Sequence, residues 1–195
     1  MKTTRLEAFS DGVIAIIITI MVLELKVPPD HSWHGLLQLW PVFSSYVLSF
    51  VMVAIYWLNH HHLIHLARHV DGKILWCNVN LLFWISLIPF TTAFLGETHT
   101  TPLAVALYGT VMLFAGVSFY LLQRVIAVQH EANPRLKELL AHLRRKNLAA
   151  IGIYAPAIPL AFVSTWLALG LIVLPALMYF MPDPKIERGE LERGL

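Results

Sequence analysis

Cysteine is all but missing: Cys77 stands alone in 195 residues, which excludes an internal disulfide framework and any thiolate metal cluster. Charge is scarce too. Only 13% of the residues are charged and 57% are hydrophobic, with a mean hydropathy of +0.66, whereas soluble domains run at about a quarter charged. A formal net charge of +2, with no basic run interleaved with aromatics, excludes a nucleic-acid-binding protein. Long polar stretches are also lacking, so no separate soluble domain is expected. The N-terminus lacks a small-residue cleavage site, and Glu7 and Asp11 interrupt its apolar run; it reads as a retained first helix rather than a signal peptide.

What remains is apolar runs of membrane-spanning length. A hydrocarbon core of roughly 30 Å needs about 20 apolar residues as a helix. Candidate spans cover 12–23 (continued by the turn at 5–11 and stopped by Pro28-Pro29), 36–58, 74–95 and 102–128. The block 147–181 has 35 residues and no charge; as one helix it would be about 52 Å long, so two spans with a turn near 164–166 fit better. Pro156, Pro159 and Pro175 predict kinks there. The expected architecture is an all-α integral membrane protein of six transmembrane helices. One domain covers 1–182, and a charged tail follows at 183–195. The segment 130–146 reads as a short surface helix starting after Pro134. With six spans, 13 of the 14 basic residues fall on one side and only Lys26 on the other, which predicts cytoplasmic N- and C-termini in a multi-pass cell-membrane protein, bacterial plasma membrane being the expected location.

The first helix carries the most information. At 100° per residue, Phe9, Gly12, Ile16, Ile20, Leu23 and Val27 share one stripe, with Thr19 at its edge. Read alone, such a stripe is ordinary helix packing. Asp11 points about 140° away from Ile16. Left charged at the bilayer centre it would cost about 2.5–3.5 kcal/mol, so it is expected near the inner end with a partner on another helix. His60 and Asn78 are the polar candidates at similar depth.

The segment Arg5-Leu6-Glu7-Ala8-Phe9-Ser10-Asp11 has the Arg-x-x-x-Phe-Ser-Asp form that opens the first helix of the transmembrane protein 175 family of potassium channels. Trp57-Leu58-Asn59-His60 resembles that family's Trp-x-x-His at the end of its second helix. Asn78, with Leu87-Ile88-Pro89-Phe90-Thr91 after it, resembles its third-helix pattern. The resemblance covers roughly the first 95 residues well; beyond them only the helix count and a basic loop agree.

Bacterial members of the family have one six-helix unit per subunit and form tetramers, so the resemblance implies a homotetramer in the lipid bilayer. It further implies that the first helix lines a central pore. On this sequence the constriction then falls at Ile16, followed outward by Ile20 and Leu23, and Thr19 matches a position implicated in cation selectivity. Ala15 stands where some relatives have Ser. Arg5, Phe9, Ser10, Asp11, Trp57, His60 and Asn78 correspond to the family's network holding the first helix. The expected activity is potassium-permeable conduction with modest selectivity over sodium, because nothing resembles the Thr-Val-Gly-Tyr-Gly filter of ordinary potassium channels. Potassium and other monovalent cations are the permeant species, with no cofactor, no enzymatic role and no nucleic-acid partner.

The alternative is a proton-conducting or proton-coupled secondary cation transporter, which would need ionisable residues near the midplane; the only acidic residues the spans offer are Asp11 and Glu24, both near helix ends. An intramembrane enzyme would lack a nucleophile. Glu24 and Asp30 could concentrate cations at the outer mouth, opposed by Lys26. In the run His60-His61-His62-Leu63-Ile64-His65, His61 and His65 (i, i+4) or His62 and His65 (i, i+3) share a face. No acidic residue follows at metalloprotease spacing, so no metal site is assigned and the histidines read as interfacial, with a pH effect on gating near about pH 6 as a hypothesis. Trp33, Trp40, Trp57 and Trp166 fit interfacial anchoring.

Overall fold

The computed structural model describes residues 2–180 apart from 30 and 131. Asp30 and the tail at 183–195 therefore lie outside the described residues. Eight helices follow one another: α1 (Thr3–Val22), α2 (Trp33–Gln38), α3 (Trp40–His65), α4 (Gly72–Ser86), α5 (Ile88–Glu97), α6 (Pro102–Val128), α7 (Pro134–Leu160) and α8 (Thr165–Phe180). Every regular element among the described residues is helical. In a chain this apolar that is the expected economy, since a helix satisfies its backbone hydrogen bonds internally.

By length and composition, the segments Trp40–His65, Gly72–Glu97 and Pro102–Val128 are long and apolar enough to cross a membrane, and Thr165–Tyr179 is a shorter apolar helix. The middle segment contains both α4 and α5. Pro89 has no N–H to donate back along the helix and its ring crowds the preceding turn. The helix accordingly breaks at Leu87 and restarts with Pro89 in its first turn. Pro41 acts similarly: α2 ends at Gln38, and α3 begins at Trp40 with Pro41 in its first turn. The second apolar segment therefore begins a turn later than the position 36 expected from sequence.

The last block divides as expected, with α7 ending at Leu160 and α8 starting at Thr165. The surface helix expected after Pro134 begins there, but it does not end before the apolar block. It runs unbroken into the apolar segment as α7, with Pro156 and Pro159 inside it. Its polar first half is joined to the bundle by Asn147, 3% exposed, which donates to Gly116 O on α6 at 3.2 Å.

The core gathers around α6, which packs against α4, α5, α7 and α8. Small residues permit the closest approaches. A Cβ on Gly96 would lie 2.8 Å from Val42 Cα, so α5 and α3 meet almost backbone to backbone there. A buried hydrogen-bonded chain, Thr92 to Ser49 at 2.6 Å and Ser49 with Tyr108 at 3.0 Å, links α5, α3 and α6.

α1 is placed differently. Its main contacts are with α3, α4 and α5, at the flank of the bundle. Leu6, Ser10, Ile14, Ile17 and Met21, spaced by three and four, form its buried side. The opposite side is left open.

Candidate functional site: the two faces of the first helix

The inner face of α1 is polar where it meets α3 and α4. Ser10, His60 and Asn78 are each fully buried. Asn78 Nδ2 donates to Ser10 Oγ at 2.9 Å, and Ser10 Oγ donates to Leu6 O at 2.9 Å. With its amide nitrogen so used, Asn78 presents Oδ1 to His60 Nε2 at 2.7 Å. His60 must then carry its proton on Nε2, which leaves its buried Nδ1 without a hydrogen-bond partner. One residue from each of three helices thus closes a chain that fixes the depth and rotation of α1.

Asp11 finds its partner elsewhere. The sequence offered His60 or Asn78, but Trp57 Nε1 donates to Asp11 Oδ1 at 2.9 Å. The reason is rotational: Asn78 is already committed to Ser10, the neighbouring residue on α1, and Asp11 turns toward the exposed edge of α3. Trp57 thus joins this seam, as its place in the expected network implies, while it stays 41% exposed. Two further members of the expected set remain apart. Arg5 is exposed and takes no part in the hydrogen bonds that join Ser10, Asp11, Trp57, His60 and Asn78. Phe9 is 56% exposed and turned away from the network.

Glu7 was not singled out from the sequence, yet it belongs to the same seam. Its Oε1 lies 3.0 Å from His61 Nδ1 and 3.0 Å from His65 Nε2. α1 and α3 run antiparallel here, so Glu7 and Asp11, one turn apart, face His65, His61 and Trp57, each one turn from the next. The only available signal was the i, i+4 repeat on both helices. Nothing in either helix alone says that the repeats face each other.

The outer face carries the apolar stripe. Ile16 is 59% and Leu23 72% exposed, and Ile20, Thr19, Ala15 and Gly12 are exposed beside them. Thr19 Oγ1 donates its proton to Ile16 O at 2.9 Å. Its oxygen therefore presents lone pairs, not a proton, to whatever lies beyond the stripe. Near the end of the stripe, Lys26 Nζ sits 3.7 Å from Glu97 of α5, with both groups exposed. The cation expected to oppose Glu24 is thereby balanced by a carboxylate.

Comparison with known proteins follows the same half of the molecule. The family described as endosomal/lysosomal potassium channel TMEM175 matches residues 5–89, which hold α1, α3, α4 and the network. A potassium channel of Chryseobacterium sp. (strain P1-3) is 44% identical over 189 residues, covering 97% of this chain and 98% of that one. A potassium channel of Streptomyces collinus is 35% identical over 188 residues, 91% of each chain. The crystal structure of a lysosomal potassium-selective channel TMEM175 homolog from Chamaesiphon minutus superposes with a TM-score of 0.82 at 30% identity, covering 92% of this chain and 96% of that one. The likeness extends across the second half, where sequence motifs were silent.

Proposed function

This chain belongs to the TMEM175 family, and from that premise we propose that it is a potassium-permeable cation channel with modest selectivity over sodium. In this reading each subunit crosses the membrane six times with both termini in the cytoplasm. Four subunits assemble around a central axis, and the exposed stripe of α1 lines the pore. The observation that carries the reading is the contrast between the two faces of α1. One is pinned by buried hydrogen bonds to α3 and α4. The other leaves Ile16 and Leu23 uncovered by the subunit's own helices.

Four Ile16 side chains at one height would form an apolar ring that closes the pathway by excluding water. Ile20 and Leu23, about 6 and 10.5 Å farther along the helix, extend the constriction outward. Thr19 lies about 4.5 Å above Ile16. Because its proton is spent on Ile16 O, four copies would offer a ring of acceptor oxygens to a cation that has shed part of its hydration. Such a ring is sparser than a carbonyl filter, which accounts for modest rather than strict selectivity. Opening requires the four helices to separate or rotate by enough to admit water past Ile16. The network of Ser10, Asp11, Trp57, His60 and Asn78 sets the position from which α1 moves.

The sequence between Gly12 and Leu23 contains no ionisable residue. A proton relay or a proton-coupled transporter would have no carrier along the stripe, so the channel reading is preferred. Planar-bilayer recording of the purified protein under a potassium/sodium gradient tests it. A reversal potential that follows the potassium gradient supports the channel, and flux that requires an imposed proton gradient contradicts it.

A further inference from the structure

We propose that Glu7, His61 and His65 form a binding site for a divalent transition metal that staples α1 to α3. The three groups bring one carboxylate oxygen and two imidazole nitrogens together, all within 4.8 Å of one another. Glu7 Oε1 is 3.0 Å from each nitrogen. Lone-pair atoms this close repel unless a proton or a cation stands between them. For His61 a proton does not suffice: Nδ1 is shielded from solvent, and its contact with Glu7 does not have hydrogen-bond geometry. A metal about 2.0–2.2 Å from each ligand would answer all three groups at once.

The donor set selects the ion class. Two imidazoles and one carboxylate suit zinc and its borderline neighbours, whereas calcium and magnesium want oxygen ligands throughout. The side chains of His65 and His61 are 55% and 36% exposed, while that of Glu7 is 16% exposed. The site thus opens to water on the histidine side, which gives the ion a way in and leaves room for a fourth, water ligand. Spacing on α3 supports the same geometry. His60 turns inward to Asn78, while His61 and His65, one turn apart with ring centroids 4.5 Å from each other, both turn to α1. The i, i+4 histidine pair matches the ligand spacing of a zinc-binding helix, and the third ligand comes from α1, where a reading of α3 alone does not find it.

An occupied site would clamp α1 one turn from the Asp11–Trp57 hydrogen bond, at the seam the buried network already secures. The binding claim stands apart from the channel reading and is tested without ion conduction. Zinc chloride is titrated, against a chromophoric chelator, into the purified full-length assembly free of any histidine tag. The expected result is one tight zinc per subunit, unaffected by excess calcium or magnesium, with thermal unfolding shifted upward by zinc. Glu7→Gln and His65→Ala should each weaken that zinc by more than an order of magnitude and abolish the thermal shift. Their metal-free unfolding temperature should stay close to wild type, because His65 is largely exposed and Gln keeps the size and shape of Glu7. X-ray absorption at the zinc edge should report two imidazole nitrogens. Zinc held no more tightly by wild type than by a His61→Ala/His65→Ala variant of equal metal-free stability would overturn the proposal, as adventitious binding at other histidines. Absence of any tight zinc in wild type would overturn it too. Should the double variant fail to assemble, the edge spectrum of wild type decides, and a spectrum lacking imidazole contradicts the site.

Discussion

Trp57 on α3 donates its indole N–H to the Asp11 carboxylate on α1 at 2.9 Å, and this bond lies beside the fully buried chain from Ser10 through Asn78 to His60. The two interactions grip adjacent residues of one helix from two directions. Together they hold the helix whose far side carries Ile16 and Thr19, so variants on the two sides should separate holding from conducting.

Asp11→Ala removes a charge-assisted hydrogen bond, which contributes about 1.5–3 kcal/mol in general. The low end applies here because the pair is partly exposed. Asp11→Ala and Trp57→Phe should lower the unfolding temperature or weaken assembly to similar degrees, and the double variant should lose less than the sum of the two. The ion preference of whatever current remains should be unchanged. Normal assemblies with an altered reversal potential would contradict the holding role.

Asn78→Ala should be more damaging than Ser10→Ala. It leaves the buried His60 Nε2 proton without an acceptor, at about 1–3 kcal/mol, removes the donor to Ser10 Oγ, whose own proton stays on Leu6 O, and empties the space of the amide. Ser10→Ala strands only one amide hydrogen. Denaturation in mild detergent gives the comparison, and an equal or reversed order would show that the chain is not closed as described.

Two glycines should respond oppositely to alanine. At Gly96 the new Cβ would press on the α3 backbone at 2.8 Å from Val42 Cα, costing about 1–3 kcal/mol. At Gly152 on α7 nothing lies within 4 Å of a Cβ, and the gain in helix preference should leave stability unchanged or raise it by up to about 1 kcal/mol. Parallel thermal unfolding of the two variants checks the α3–α5 approach.

Thr19→Val keeps the shape of the side chain and removes its oxygen. The permeability ratio of potassium to sodium should fall, with protein yield and stability little changed, because the residue is exposed and its hydroxyl bonds only within its own turn. Thr19→Ser should retain the wild-type ratio. Unchanged bi-ionic reversal potentials in Thr19→Val would remove the residue from the selectivity account.

Much of this organisation was legible in the sequence where one helix could be read by itself. The boundaries of α6 at Pro102 and Val128 follow from composition, and the turn between α7 and α8 follows from the excessive length of an uncharged block. The stripe through Ile16 and Leu23 follows from helical periodicity. What could not be read was which face of one helix meets which face of the next. The angle of Asp11 was computable, but its partner was not: His60 and Asn78 stood out as polar residues at suitable depth, and packing brought Trp57 instead. Glu7 stayed hidden for the same reason. The polar segment before Asn147 shows another limit, because it continues into the apolar block as one helix without a break.

The central claim is that Ile16 closes a pore formed by α1, and single-channel recording of Ile16→Ala beside wild type in planar bilayers tests it most directly. Shrinking the side chain should widen the constriction and weaken its exclusion of water. Currents should be several-fold larger, with a reversal potential still on the potassium side. Ile16→Asn should go further by wetting the ring. Wild-type currents in both variants, with the proteins assembled normally, would mean that the exposed stripe faces lipid and that the conduction path lies elsewhere.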